Sequence, residues 1–387
     1  MIGKPLSIIL LPTLECNVAC DYCFEEKSKV RLTLEQLPVL TERLLEHMAL
    51  NQSIEAEVYW QGGEVMMLGP AWFEKANTIM GEAAAARGLR FRHHLQTNLI
   101  GWSARWHDVV RSMFGGSLGT SMDYPNNHRR LMNGSTEKYT ELWLRAVADA
   151  QQAGIGVGCI AVLHPGSLEA GPQAFYRFYT ETARLTEFQV NMPFPGGPGE
   201  GGDTLSTAPL STFLTGLLDT WLEHGYDHGV SVGPFDEIIK AFRGRPARLS
   251  CIWQQNCANE FISIDARGQT ALCDCWVTSY PEHSFGNVLG KQSLSEMLGA
   301  SPARERFLER PAHLIEHDAC GTCTWLSMCH GGCPVRTFTA LGTVFARDPY
   351  CEVYKTLFSH ARRAAAALAA RRREPAAHPR PAPGVPV

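Results

Sequence analysis

Three cysteines in one short loop constrain this chain more than any other feature. They stand as Cys16-Asn17-Val18-Ala19-Cys20-Asp21-Tyr22-Cys23-Phe24, directly after the apolar run Leu6–Leu11. They belong to a set of 13 cysteines, an odd number that falls into tight groups. All but one of the others lie between Cys251 and Cys351, and Cys159 stands apart. The N-terminal apolar run is too short for a signal peptide and has no cleavage site, and no run approaches the length of a membrane span. A cytoplasmic location without membrane association is therefore expected. In a reducing compartment disulfides are rare, and clustered cysteines ligate metal. Three thiolates in one loop can hold three irons of a [4Fe–4S] cube and leave the fourth iron open. Spacing alone would also suit a zinc ion that borrows a fourth ligand. The net charge of −4 carries no basic field, so no nucleic-acid partner is expected.

Around this loop the sequence alternates strand and helix patterns. Strands are expected at Leu6–Leu11, Glu57–Trp60, Phe91–Leu95, Ser117–Met122, Ile155–Leu163 and Glu187–Asn191. Helices are expected at Leu34–Leu50, Ala71–Arg87, Trp102–Met113, Thr136–Ala153 and Leu168–Leu185. Such a series predicts an α/β fold with a parallel sheet, a partial (β/α)6 TIM-type barrel over residues 1–240. Pro193–Asp203 reads as a loop, with helices at Ser211–His224 and Pro234–Phe242. Residues 241–363, with short elements, frequent glycines and most of the cysteines, read as a small metal-organised domain. Residues 364–387 read as a helical end and a Pro-rich tail whose last dozen residues are disordered.

The C-x3-C-x2-C spacing, followed by Phe24 in the loop after the first strand, resembles the radical S-adenosylmethionine (SAM) superfamily over residues 5–240. That resemblance implies a catalytic [4Fe–4S] cluster on Cys16, Cys20 and Cys23. Its open iron would chelate SAM, and reductive cleavage would yield a 5′-deoxyadenosyl radical that abstracts hydrogen from substrate. Active-site groups of a barrel lie at the C-terminal ends of strands. Gly62-Gly63-Glu64 looks like the family's GGE motif, the glycines admitting SAM's methionyl end and Glu64 its ammonium group. Gln96 and Asn98 end the third strand. Ser121 and Asp123 end the fourth and resemble the ribose-contacting position. Val65 departs from the proline common after GGE, and Tyr124 from a glycine common in related maturases.

The later cysteines read Cys251-x5-Cys257-x15-Cys273 and Cys320-x2-Cys323-x5-Cys329-x3-Cys333-x17-Cys351, with Gly268 five residues before Cys273. These spacings alone could form a pair of zinc knuckles. The array resembles the SPASM extension of radical SAM enzymes that modify peptides and proteins. The resemblance implies one auxiliary [4Fe–4S] cluster on Cys251, Cys257, Cys273 and Cys333. A second would sit on Cys320, Cys323, Cys329 and Cys351, giving three clusters in all. Cys159 reads as a small core residue and Cys275 as a packed or idle thiol.

Asp274 follows Cys273. In the anaerobic sulfatase-maturing enzymes, which the stretches Trp60–Glu64, Leu95–Asn98 and Cys323–Cys333 resemble, an aspartate there acts as base. A carboxylate beside an electron-accepting cluster could take the proton while the cluster takes the electron. The expected function is a radical SAM maturase that oxidises or cross-links a side chain in a ribosomally made peptide; Val65 and Tyr124 favour that branch. The alternative is a sulfatase maturase converting Ser or Cys to formylglycine. The implied partners are a peptide or protein substrate and an electron donor such as flavodoxin or ferredoxin. With only fifteen residues before Cys16, no built-in leader-binding module is expected. The substrate then binds the barrel mouth directly, or a separate leader-peptide-binding protein delivers it.

Overall fold

The computed structural model describes residues 6–194, 204–255 and 257–371. Of the expected loop Pro193–Asp203, residues 195–203 lie outside the described residues, as does the Pro-rich tail. The first six strands are β1 (Leu6–Leu11), β2 (Glu55–Trp60), β3 (Arg90–Thr97), β4 (Ser117–Ser121), β5 (Gly156–Val162) and β6 (Glu187–Asn191). They pair in parallel in chain order, as βα connections require. Between them run the helices α1 (Leu37–Leu50), α2 (Pro70–Ala85), α3 (His107–Met113), α4 (Thr136–Gln152), α5 (Pro165–Ala170) and α6 (Pro172–Arg177). The sheet is open, so the barrel is partial.

Three features differ from expectation. The helix expected at Leu168–Leu185 is split into α5, α6 and a wider turn over Phe178–Thr182. Gly171 takes a φ of +82° and Pro172 follows it. A left-handed residue ahead of a proline that lacks an N–H ends one helix and begins another. After α7 (Thr207–His224) comes an unforeseen strand, β7 (Ser231–Gly233), which extends the sheet beyond β6 before α8 (Phe235–Phe242).

The third difference places the site. The segment after Cys251 does not stand off from the barrel. Its strand β8 (Phe261–Asp265) pairs in parallel with β1, with Leu10 opposite Ile264. From there β9 (Gln269–Ala271) and β10 (Gly286–Asn287) continue the sheet antiparallel. Between them α9 (Asp274–Val277) begins one residue after Cys273. Then come α10 (Leu294–Ala300), α11 (Pro302–His317), α12 (Leu326–Cys329), α13 (Pro334–Leu341) and α14 (Cys351–Arg371). The helix expected from residue 364 begins at Cys351, so the expected boundary at 363 falls inside it. α14 packs on α7 and α8 and carries the C-terminal half back onto the barrel.

The core is continuous across this junction. Trp60, Trp253 and Trp276 are fully buried, as are Ile8, Leu10 and Ile264. Truncating Ile264 to Ala should cost about 2–5 kcal/mol, the usual range for emptying a buried aliphatic site. Chemical denaturation of the purified protein should show this as a lower unfolding midpoint. An unchanged midpoint would mean that the β8–β1 seam carries little of the stability.

Candidate active site

A cavity of about 480 Å³ opens at the C-terminal ends of the strands and reaches into the C-terminal half. That size suits a cofactor together with part of a substrate. Cys16, Cys20 and Cys23 line one side, and Cys251, Cys257, Cys273 and Cys333 line another.

The first loop is held by backbone contacts. Gly63 N donates to Thr13 O at 3.0 Å, and Glu64 N to Glu15 O at 2.7 Å. A Cβ on Gly63 would fall 2.2 Å from Glu15 O, and one on Gly62 (φ +126°) 2.8 Å from Thr13 O. The glycines therefore serve the approach of the cysteine loop to β2. Glu64 is fully buried, and its carboxylate accepts from Met66 N (2.9 Å), Thr97 Oγ1 (2.6 Å) and Asn98 N (2.7 Å). Glu64, expected to meet an ammonium group, borders the cavity and also fastens the ends of β2 and β3 together.

Asn98 continues the brace. Its Nδ2 donates to Asn17 Oδ1 at 2.8 Å, and Asn17 Nδ2 donates to Ile100 O at 2.6 Å. Gln96 Nε2 donates to Ser121 Oγ at 2.8 Å and to Thr120 O at 2.9 Å. Gln96, Asn98 and Ser121 all face the cavity. Asp123 is a correction. It does not line the cavity but lies fully buried behind the wall, accepting from Tyr22 Oη, Arg129 Nε (2.9 Å) and Val162 N (2.9 Å). With those donors its carboxylate positions Arg129, which does reach the cavity.

Across the cavity Asp274 faces inward and accepts from Gln61 Nε2 at 2.7 Å. Burial raises its carboxyl above the usual range, and the N–H donors around it pull the other way. Glu25 sits nearby, pushed up to about 8 by burial and then by the charge of Asp274. Thr278 Oγ1 donates to it at 2.8 Å, and Ser279 Oγ donates to Phe24 O. These bonds join the segment after Cys273 to the segment after Cys23. Sequence reasoning missed Glu25, because Glu25-Glu26 looks like a solvated acidic pair. It also missed Gln61 and His128. His128 lines the cavity with Nδ1 2.9 Å from Asp21 Oδ1.

Thiol geometry tests what these cysteines can hold. Cys251, Cys257, Cys273 and Cys333 interact electrostatically as one set. Cys320, Cys323, Cys329 and Cys351 line a second, small cavity together. Cys333 thus groups with the earlier cysteines although it follows Cys329 by four residues. A tetrahedral zinc with Zn–S near 2.3 Å brings its sulfurs to about 3.8 Å of one another. Among the described residues, the one trio with ligand atoms all within 4.8 Å is Cys273, Asp274 and Cys275. No three thiols among the described residues come that close together, so they are spread wider than a single zinc ion takes. Burial pushes Cys16 up to about 11 and Cys329 up to about 12. A metal would displace those protons on binding. Cys159 is buried in β5, and Cys275 is buried next to Cys273.

The backbone fit at Gly63 makes a direct prediction. Gly63→Ala should displace Glu15 and the adjoining Cys16, and so abolish the cluster that Cys16, Cys20 and Cys23 are expected to hold. Iron analysis after anaerobic reconstitution should show about four irons fewer than wild type, one cube's worth. Full iron content would mean that the loop tolerates the extra carbon.

Comparison with known proteins agrees with this architecture. A model of the Radical SAM superfamily matches residues 10–179. The serine-type anaerobic sulfatase-maturating enzyme of Bacteroides thetaiotaomicron is 22% identical over 384 residues, covering 92% of this chain and 90% of that protein. The enzyme of the same name from Klebsiella pneumoniae is 23% identical, covering 92% and 87%. Among solved structures, native anSMEcpe with bound AdoMet and Cp18Cys peptide superposes with a TM-score of 0.78 at 22% identity, covering 96% of this chain and all of that one. Streptococcus suis SuiB bound to precursor peptide SuiA gives 0.62 at 12% identity, covering 90% and 76%. At these identities the structural likeness speaks to the fold. The match over residues 10–179 and the sulfatase-maturating relatives together indicate an enzyme that uses SAM.

Proposed function

We propose that this enzyme is a sulfatase maturase, oxidising a serine or cysteine side chain within a protein or peptide substrate to formylglycine. The observation that carries the proposal is Asp274, an inward-facing carboxylate on the cavity that also holds Cys16, Cys20 and Cys23. Cys16, Cys20 and Cys23 would hold the catalytic [4Fe–4S] cluster, with Gly62, Gly63, Gln96, Asn98 and Ser121 around SAM. Cys251, Cys257, Cys273 and Cys333 would hold one auxiliary cluster of a SPASM domain, and Cys320, Cys323, Cys329 and Cys351 the other. When bound, these groups supply the radical that removes a hydrogen atom from substrate and the acceptor for the electron that follows.

The chain's own residues do the rest. Asp274 takes the proton that leaves the substrate hydroxyl or thiol, and Gln61 fixes the orientation of its carboxylate. The apolar wall, including Phe24, Leu163 and Phe194, excludes water from the reacting carbon. Asp274 and Glu25 lie together, so a proton gained by one is stabilised by the charge of the other.

Two findings move the reading away from the peptide cross-linking branch. Val65 is buried at the start of a short turn after Glu64, and Tyr124 stacks on Phe178 at 4.6 Å. Neither lines the cavity, so neither departure bears on the substrate. The relatives from Bacteroides thetaiotaomicron and Klebsiella pneumoniae, each matched over 92% of this chain, carry the sulfatase-maturating name.

Incubated with SAM, a reductant and a peptide carrying a reactive serine or cysteine, the reconstituted enzyme should form formylglycine. Mass spectrometry would read this as the loss of two hydrogens from a serine peptide. The same preparation should contain about twelve irons, four for each cube. Cross-linked peptide, or SAM cleavage with no aldehyde on any serine or cysteine peptide, would contradict the assignment.

A further inference from the structure

Arg310, on α11, is 5% exposed. Among the described residues its hydrogen-bond partners are all neutral. Nε donates to Val344 O at 2.8 Å, and one terminal nitrogen donates to Gly331 O at 3.0 Å, Ala346 O at 3.1 Å and Thr337 Oγ1 at 3.5 Å. A buried guanidinium surrounded only by dipoles is costly, because its charge has lost water and gained no counter-ion.

The nearest acid is already committed. Asp348 accepts from Arg336 at 2.9 Å, Tyr354 Oη at 2.7 Å, Cys333 N at 2.9 Å and Tyr350 N at 2.9 Å. Its charge answers Arg336. The remaining groups within electrostatic reach of Arg310 are the sulfurs of Cys257, Cys333 and Cys320. Cys257 and Cys333 belong to one thiol set and Cys320 to the other, so Arg310 stands between the two.

Resting on the auxiliary clusters proposed above, we infer that Arg310 is a positioning residue whose charge sets the reduction potentials of both. A cube held by four thiolates is a net anion, and each reduction adds another negative charge. A fixed buried cation favours the reduced form and raises the potential. It would make both clusters better acceptors for the electron leaving the substrate. The hydrogen bonds from Arg310 to Gly331 and Ala346 hold that charge in place between the cysteine-bearing segments.

The test uses the full, reconstituted enzyme. EPR-monitored redox titration gives the auxiliary midpoints for wild type, Arg310→Gln and Arg310→Lys, with iron counted in each. Gln removes the charge, and Lys keeps it while losing the planar fork. In the Gln variant the midpoints should fall enough to change the oxidised-to-reduced ratio at least tenfold, about 59 mV for one electron. In the Lys variant they should stay within that margin of wild type. A Gln variant with full iron and unmoved midpoints overturns the inference, as does a Lys variant that shifts as far as Gln. If Gln fails to hold the auxiliary irons, a Lys variant that retains them supports the charge role, and one that also loses them refutes it. A wild-type preparation with only the catalytic cube's irons would instead overturn the auxiliary clusters themselves.

Discussion

The buried carboxylate of Glu64 is the interaction on which the rest of the site depends. It gathers donors from Met66, Thr97 and Asn98, while its own N–H holds Glu15 beside the first cysteine. Burial pushes the carboxyl up, and those donors pull it back by favouring the charged form. One residue thereby fixes the ends of β2 and β3 relative to the loop that carries Cys16. Asn98 extends the same brace to Asn17. The three thiols are positioned by the sheet they stand on, which suits a site that must hold a reactive group in one place.

The C-terminal half completes the cavity. It is joined by β8 along β1, by Thr278 and Ser279 on the loop after Cys23, and by Arg336. Arg336 is buried and donates from Nε to Pro193 O at 3.0 Å and from a terminal nitrogen to Met192 O at 3.2 Å, beyond the end of β6. These contacts lie at both flanks of the partial barrel, so the second thiol set and Asp274 face the first loop across one enclosed space. Under the proposed function, this places a base, a hydrogen-abstraction site and an electron acceptor around one bound side chain.

Much of this was legible in the chain itself. Cysteine spacing marked the first loop and the later array, and the resemblance to the SPASM extension divided that array into two sets, with Cys333 joining the earlier one. The apolar runs named six strands, and the polar residues at their ends marked the cavity rim. What failed to show was long-range. β7 is three residues long and has no periodicity to read. β8 looks like any short apolar run, and only its pairing with β1 reveals that the sheet continues. Glu25 acquires its character from Thr278 and Asp274, some 250 positions away. Asp123 was misplaced because position at a strand end does not say which way a side chain turns, and Arg129 and Tyr22 claimed it. Gly62 and Gly63 line the cavity as their motif suggested, but their close approach to the backbone of Thr13 and Glu15 shows only in the folded chain.

The central claim is that Asp274 removes a proton after hydrogen abstraction, in the cavity that serves both steps. It is tested most directly with Asp274→Asn and a substrate deuterated at the carbon to be oxidised. Asn is nearly isosteric, so Gln61 keeps a partner and the irons stay. Deuterium should still appear in 5′-deoxyadenosine, while product falls by about 10²- to 10⁴-fold, the usual worth of a positioned base. Product formed at the wild-type rate would contradict the account and leave Asp274 a structural residue of the turn after Cys273.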